Sequence, residues 1–215
     1  MAINIVLKFS IAGFIGGMKL RNKSEEAIYA MLAVTLTQFF NTGVLLFVRN
    51  YSASNNENSI NADNNSLSVF WYSTSGVTLV SAMKITAYWP LIEIAAFGSV
   101  FKILRYLDRG CTSDKLKTKL PSIQTYIDLH AGPEFAIHWR YSAVLFQLSI
   151  ALFFGTGMPI IYVIAFVGCI IQYIVDRLLI CYFYREPPAY DDRITIVAIK
   201  SLKFIATLSL FGAWF

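Results

Sequence analysis

Charged side chains are scarce in this sequence. Of its 215 residues, 14% are charged and 56% are hydrophobic, whereas a soluble domain carries roughly 25% charged residues. Several apolar runs reach the roughly 20 residues that make one helix across a bilayer. The composition therefore predicts an all-α fold, a polytopic bundle of about five to six transmembrane helices, and argues against a soluble domain.

Motifs for catalysis and metal binding are also absent. The sequence has no P-loop, no G-x-S-x-G and no H-E-x-x-H, so we expect neither an enzyme nor a cofactor. Cys111, Cys169 and Cys181 lack metal-ligand spacing and are interpreted as ordinary thiols. His130 and His138 have no Cys or carboxylate pattern around them, so we expect no metal site there.

A cleavable signal peptide is missing as well. The opening MAINIVLKFSIAGFIGGMKLR is apolar, but Lys8 lies within it and no A-x-A-like site closes it. We interpret residues 1–18 as the tail of a helix, a partial span.

What is present is a set of long apolar runs, and GTGMP interrupts the longest of them. A single helix through both flanking runs would be roughly 65 Å long, about twice the hydrocarbon core. Glycine permits a tight reversal, and proline suits the first turn of the next helix. We predict a helical hairpin whose outer turn is formed by Gly155, Gly157 and Pro159.

The same argument predicts six spans within a single transmembrane region, 1–215. They are 1–18 (partial), 27–48, 70–104, 138–155, 159–184 and 194–215.

Lysine and arginine alternate along the chain with segments that lack them. Seven lie in the stretch 102–140: Lys102, Arg105, Arg109, Lys115, Lys117, Lys119 and Arg140. None lies in 50–69. Because cytoplasmic loops carry the excess of basic residues, we predict an outer loop at 49–69 and a cytosolic loop at 105–137. We interpret the net charge of +5 as a signal that orients the chain in the membrane and not as a nucleic-acid-binding surface. We therefore expect no nucleic-acid partner.

Two sequons lie in the predicted outer loop. Asn50 and Asn64 each head an N-x-S sequence, so both are candidates for glycosylation.

Two ionisable residues lie inside the predicted span 70–104. Lys84 and Glu93 each cost about 2.5–3.5 kcal/mol at mid-helix on insertion scales, so each needs a partner or water. Nine positions correspond to roughly 900° of rotation, which puts them on opposite faces of a continuous helix. Either this helix lines a hydrated path, or the two side chains snorkel or pair with other helices.

A polar stretch in the predicted span 27–48 leaves a similar choice. Gln38, Asn41 and Thr42 are spaced to share one face of an α-helix. They either hydrogen-bond to neighbouring helices, for about 0.6 kcal/mol each, or line a pore.

Five stretches, in order and spacing, resemble the OSCA family of calcium-permeable, osmotically and mechanically gated cation channels, whose fold is shared with the anoctamins. They are QFFNTGVLL, WYSTSGVTLVSAMKITAYWP, ILRYLDRG, DLHAGPEFAIHWRYSAVL and FGTGMPIIYVIAFVGCIIQYIVDRLLICYFYREPPAYDD. The last block is the most specific. The likeness covers roughly residues 25–205 and is closest to divergent forms of single-celled eukaryotes.

The resemblance implies a function for the spans. This sequence would supply the back half of the family's membrane region, with 27–48, 70–104 and 140–155 as pore-region helices and 70–104 as the gating helix. Its hinges would be Gly76, Pro90 and Gly98. The implied partners are membrane lipids, transported Ca²⁺, K⁺ and Na⁺, and a second copy in a homodimer, in the plasma membrane. A non-conducting accessory subunit and a lipid scramblase of the same fold are the alternatives.

Overall fold

The structure of the chain, a computed structural model, describes residues 10–11, 13–17, 22–44, 72–111, 118, 120–185 and 190–214. Within these residues the secondary structure is helical and contains no strand, which confirms the predicted all-α class. The helices are α1 Lys23–Phe39, α2 Val77–Asp108, α3 Ile123–Ala131, α4 Ile137–Phe154, α5 Ile160–Tyr182 and α6 Arg193–Trp214. Two π-helical segments extend them: Phe40–Val44 continues α1, and Tyr72–Gly76 leads into α2.

Three helices are long and apolar enough to cross a membrane by length and composition: α2, α4 and α5. They match the predicted spans 70–104, 138–155 and 159–184, and they support the prediction of a membrane protein. Helices α1 and α6 lie in the predicted spans 27–48 and 194–215, but neither reaches that standard within the described residues. The count of six spans stays a prediction.

The break predicted at GTGMP is confirmed. Helix α4 ends at Phe154 and α5 begins at Ile160. The backbone N–H groups of Gly157 and Met158 both donate to the carbonyl oxygen of Phe154, at 3.2 and 3.0 Å. These bonds satisfy the last carbonyl of α4 and turn the chain within five residues.

The predicted cytosolic loop 105–137 contains more helix than a simple connection. Helix α2 continues to Asp108, and α3 occupies the middle of the loop. Ser122 caps α3, because its Oγ accepts a hydrogen bond from the backbone N–H of Gln124 at 3.3 Å. Gly132, at φ 80°, follows its last residue. A nine-residue helix lacks the apolar length on which the span prediction depended.

The helices form two compact units that share α2 and α5. Unit 1 contains α1, α4, α6 and the first parts of α2 and α5, up to Ala87 and Cys169. Unit 2 contains α3 and the remaining parts of α2 and α5, from Tyr88 and Ile170. That both belong to one transmembrane region, 1–215, stays a prediction.

In unit 1, α4 packs against both α1 and α6, and α1 also contacts α6. One buried cluster joins α1, α2, α4 and α5 and includes Phe39, Leu79, Met83, Ile150 and Ile161. A second cluster joins α1, α4 and α6 and includes Met31, Leu145, Ile194 and Ala198. Since lipid tails are as apolar as these side chains, close packing is what would hold the helices together in a bilayer.

Polar contacts in unit 1 group the helix ends as the predicted topology requires. The hydroxyl of Tyr72, next to the predicted outer loop, donates to the carbonyl oxygen of Gly157 in the predicted outer turn at 3.0 Å. The backbone N–H of Asp191 donates to Ser24 Oγ at 3.2 Å, and both residues lie between predicted spans, in the gaps that alternate with the outer loop and the outer turn. Which end faces the cytosol is a prediction from the basic residues.

Candidate functional site

The residues predicted to line or gate a pore fall in both units. Unit 1 holds Gln38, Asn41, Thr42, Gly76 and Lys84, and unit 2 holds Pro90, Glu93 and Gly98. Asn50 and Asn64 lie outside the described residues.

The polar stretch after α1 is π-helical. Gln38 is buried at 4% exposure, while Asn41 and Thr42, in the segment Phe40–Val44, are half-buried. A π-helix is bonded from i to i+5, so the α-helical spacing assumed for one polar face does not hold beyond Phe39. Single π-turns within helices are frequent at functional sites, and the sequence pattern gave no signal for this one.

Gly43, in the same π-helical segment, brings α1 close to α4. A Cβ at this position would lie 3.2 Å from Ile150 Cδ1 and 3.4 Å from Phe154 Cε2. Small residues allow such close approach between membrane helices, which favours helix packing as one role of this stretch.

The second π-helical segment, Tyr72–Gly76, carries an unusual serine. Gly76 is buried. Ser75 is 2% exposed, and its Oγ has no hydrogen-bond partner among the described residues. A buried hydroxyl without a partner is costly, and the other such atom of unit 1 among the described residues is His138 Nδ1.

Lys84 lies on the exposed side of α2. No hydrogen bond or ion pair joins its ammonium group to another described residue. In a bilayer this side chain would therefore reach for headgroups or water by snorkelling.

The polar residue that links α4 to α5 was not predicted from the sequence. Gln147 is 4% exposed, and its Nε2 donates to the carbonyl oxygens of Ala165 and Ile164 at 3.3 and 3.5 Å. Gly168 makes room for it, because a Cβ there would overlap the Gln147 amide and lie 3.0 Å from Ala87 Cβ. Its place inside the apolar run LFQLSIALFF was the available signal.

The predicted outer turn depends on Gly155 more than on Gly157. A Cβ at Gly155 would overlap the carbonyl oxygen of Ala151 and the ring of Tyr162, whereas at Gly157 the nearest atom is 3.8 Å away. Pro159 immediately precedes α5, and its carbonyl oxygen accepts from the N–H of Tyr162 at 3.1 Å. Proline therefore opens the turn that starts α5, as predicted.

In unit 2, Glu93 is half-buried and has a partner on another segment. The Tyr184 hydroxyl donates to Glu93 Oε1 at 3.1 Å. The Tyr184 ring lies 5.5 Å from the Phe97 ring and 5.3 Å, edge-on, from the Phe135 ring. An aromatic cluster thus holds the hydroxyl against the carboxylate, and neither Tyr184 nor this cluster was predicted from the sequence.

Glycines bring the same segment close to its neighbours. Gly98 faces the ring of Phe183, whose atoms a Cβ would meet at 3.6–3.7 Å. Gly132, at φ 80°, leaves no room for a Cβ beside the carbonyl oxygen of Phe183. The chain that follows α5 is therefore held by α2 and by the end of α3.

Arg185 forms a surface ion pair next to this cluster. Its guanidinium donates to Glu134 Oε1 and lies 3.8 Å from Asp128 Oδ1. The Arg185 and Asp128 side chains are 42% and 54% exposed, so this contact contributes at most about 1 kcal/mol.

Pro90 is buried within α2, and the helix does not break there. Residues 77–108 form one α-helix that continues through Pro90. Membrane helices tolerate proline because neighbouring groups and local adjustments satisfy the freed carbonyl. Whether Pro90 acts as a hinge stays a prediction.

No family model, curated protein or solved structure matches this chain. The described residues contain no group of three or more His, Cys, Asp or Glu able to hold a metal ion.

Proposed function

We propose that the chain is the pore region of a mechanically or osmotically gated, calcium-permeable cation channel. The observation that carries the proposal is the Glu93–Tyr184 pair. An ionisable residue within a membrane helix marks a functional site by default, with its partner as part of that site. Here a half-buried carboxylate on α2 is oriented by a hydroxyl from the segment after α5.

The position of Glu93 along α2 favours a role at one mouth of the ion path. It lies 16 residues beyond Val77, about 24 Å along the helix, and its partner Tyr184 lies two residues beyond the end of α5. A carboxylate near the end of a roughly 30 Å hydrocarbon core attracts cations from the adjacent solution. In this proposal Ca²⁺, K⁺ and Na⁺ pass Glu93 on the cytosolic side of the plasma membrane, and a homodimer carries one path per subunit.

The test is stretch-evoked current from the purified chain in liposome patches. We expect Glu93→Gln to lower the Ca²⁺/K⁺ permeability ratio by roughly threefold to tenfold, because one fewer negative charge concentrates fewer divalent ions. We expect Tyr184→Phe to change the ratio less and the pressure for opening more, since it keeps the charge and removes the hydrogen bond from the tyrosine hydroxyl to Glu93. Glu134→Gln is the control, because Glu134 is an exposed carboxylate of the same unit.

Absence of stretch-evoked current from wild-type liposomes would contradict the channel. Equal permeability ratios for wild type and Glu93→Gln would contradict the place of Glu93 in the ion path.

Each alternative has an observation in its favour. The exposed Lys84 on α2 favours lipid movement, because its ammonium is available to headgroup phosphates. We then expect the wild type to scramble fluorescent phospholipid between leaflets and Lys84→Gln to slow it. The burial of Gln38 favours an accessory subunit, which would give neither current nor scrambling, because a side chain packed away from water lines no ion path.

A further inference from the structure

The last three turns of α2 have two distinct exposed faces. At 100° per residue, Val100, Ile103 and Leu107 fall within about 60° of one another, and they are 50%, 56% and 54% exposed. Lys102 is exposed on the opposite side, and the half-buried Arg105 and Arg109 lie on that side too. Apolar residues on one side and basic residues on the other are typical of a helix at a membrane interface.

The depth of this stretch matches a headgroup layer. Tyr72 is bonded to the turn between α4 and α5, so α2 enters the apolar layer near Val77. Residues 100–109 then lie about 35–48 Å along the helix. A hydrocarbon core of about 30 Å, with headgroups bringing the bilayer to 40–45 Å, places them at the far leaflet for a moderately tilted helix.

Two of the basic side chains on this stretch have no ion-pair partner among the described residues. They are Lys102, which is exposed, and Arg109, which is half-buried. Arg105 is engaged, since its Nη2 donates to the carbonyl oxygen of His130 at 3.0 Å. The acidic neighbour Asp108 accepts from Thr118 Oγ1 at 3.1 Å. The surface is therefore net positive, and it complements a phosphate.

We infer that the end of α2, residues 100–108, and the adjoining Arg109 bind anionic phospholipid headgroups, with Lys102 and Arg109 on the phosphates. Basic residues next to the membrane end of a helix attract anionic lipids. This inference goes beyond the proposed channel, because a channel, a scramblase or an accessory subunit can all bind lipid at this surface.

The test measures lipid association with the full chain in vesicles. Spin-labelled phosphatidylserine and phosphatidylcholine report, by electron paramagnetic resonance, the fraction of each lipid held at the protein surface. We expect the wild type to prefer phosphatidylserine, and the preference to fall roughly fivefold for each basic residue removed in Lys102→Gln and Arg109→Gln. The preference should also weaken as salt is raised.

Two controls make the result specific. Lys102→Arg with Arg109→Lys keeps both charges and should keep the preference. Lys200→Gln with Lys203→Gln removes the same charge from exposed positions on α6 and should leave the preference intact. Circular dichroism of each variant verifies that the helices form.

Two outcomes overturn the inference. An unchanged preference in Lys102→Gln with Arg109→Gln would show that this stretch does not hold the lipid. An equal loss in both double glutamine variants would show general attraction to net charge rather than a site.

Discussion

Polar side chains inside the apolar helices find hydrogen-bond partners at two ranges. Thr35 and Ser149 donate to carbonyl oxygens four residues earlier in their own helices, at 2.7 and 2.6 Å. Gln147 instead reaches across to α5. A bond within one helix satisfies the hydroxyl but joins nothing, whereas a bond between helices fixes their relative position. Gln147 is therefore the polar residue on which the α4–α5 hairpin most depends.

We predict that Gly168→Ala destabilises the hairpin by about 1–3 kcal/mol. The new Cβ would displace the Gln147 amide and crowd Ala87, so the bonds to Ala165 and Ile164 would lengthen or break. The measurement is the free energy of unfolding in mixed detergent micelles.

Gly157→Ala is the matched control for Gly168→Ala. It adds the same methyl group where the nearest atom is 3.8 Å away, so it should change stability little. Adding Gln147→Ala to Gly168→Ala should recover part of the loss, because it removes the clashing amide. Equal effects at the two glycines would show that Gln147 packing does not determine stability here.

The ionisable residues inside the membrane helices were easier to predict from the sequence than the residues that bind them. Charge inside a hydrophobic run identifies Lys84 and Glu93 from the sequence alone. The partner of Glu93 is 91 residues away at Tyr184, and no local pattern relates the two. The π-helical turn at Asn41 is equally hidden, because it depends on how α1 meets α4 at Gly43 and not on local propensity.

At the scale of helices, α2 combines length, exposure and an internal proline. It has 32 residues, about 48 Å. Of an 18-residue apolar segment in α2, 11% is buried within the protein, compared with 44% for the corresponding segment of α4. The boundary between the two units crosses it between Ala87 and Tyr88, within one turn of Pro90. A helix with few fixed neighbours and one missing backbone bond is the element best suited to bend.

We predict that Pro90→Ala slows amide hydrogen exchange over residues 86–94. Proline lacks the N–H that would bond the carbonyl of Thr86, and alanine restores it, for up to about 3 kcal/mol in a helix interior. Hydrogen exchange with mass spectrometry in nanodiscs measures the effect. If the proposed channel gates through this helix, Pro90→Ala also raises the opening pressure.

Gly98→Ala separates the proline effect from a general gain in helix propensity. Its Cβ would meet the Phe183 ring at an ordinary 3.6 Å, and alanine in place of glycine favours a helix by roughly 0.5–1 kcal/mol. It should slow exchange around residue 98 and leave 86–94 unchanged. If Pro90→Ala leaves hydrogen exchange at 86–94 unchanged, Pro90 does not destabilise this part of the helix.

Helix existence was predictable because apolar length is a local property. The break at GTGMP followed from helix length together with glycine and proline, and it was placed within a residue. Helix α3 was missed, although Ser122 before it and Gly132 after it are ordinary start and stop signals. Its nine residues bury no side chain, so hydrophobicity alone carried no information about it.

For the whole molecule, the predicted membrane topology places two exposed positions on opposite sides of the bilayer. Thr156 lies in the turn between α4 and α5, and Ser122 precedes α3 in the segment between α2 and α4. If α4 crosses the membrane, these positions are on opposite sides, with Thr156 outside. Because basic residues set orientation through the loops that flank the spans, this prediction depends on the charges in 102–140 and not on the fold.

We predict that Thr156→Cys reacts with a membrane-impermeant maleimide on intact cells, and that Ser122→Cys reacts only after permeabilisation. Both changes are made after the exposed thiols Cys111 and Cys181 and the half-buried Cys169 have been replaced by serine or alanine, so that only the new thiol reports. Reversed labelling would leave α4 as a span but invert the topology, moving Glu93 to the outer mouth and the basic stretch 100–109 to the outer leaflet. Labelling of both positions from one side would mean that α4 does not cross the membrane, despite its length and composition.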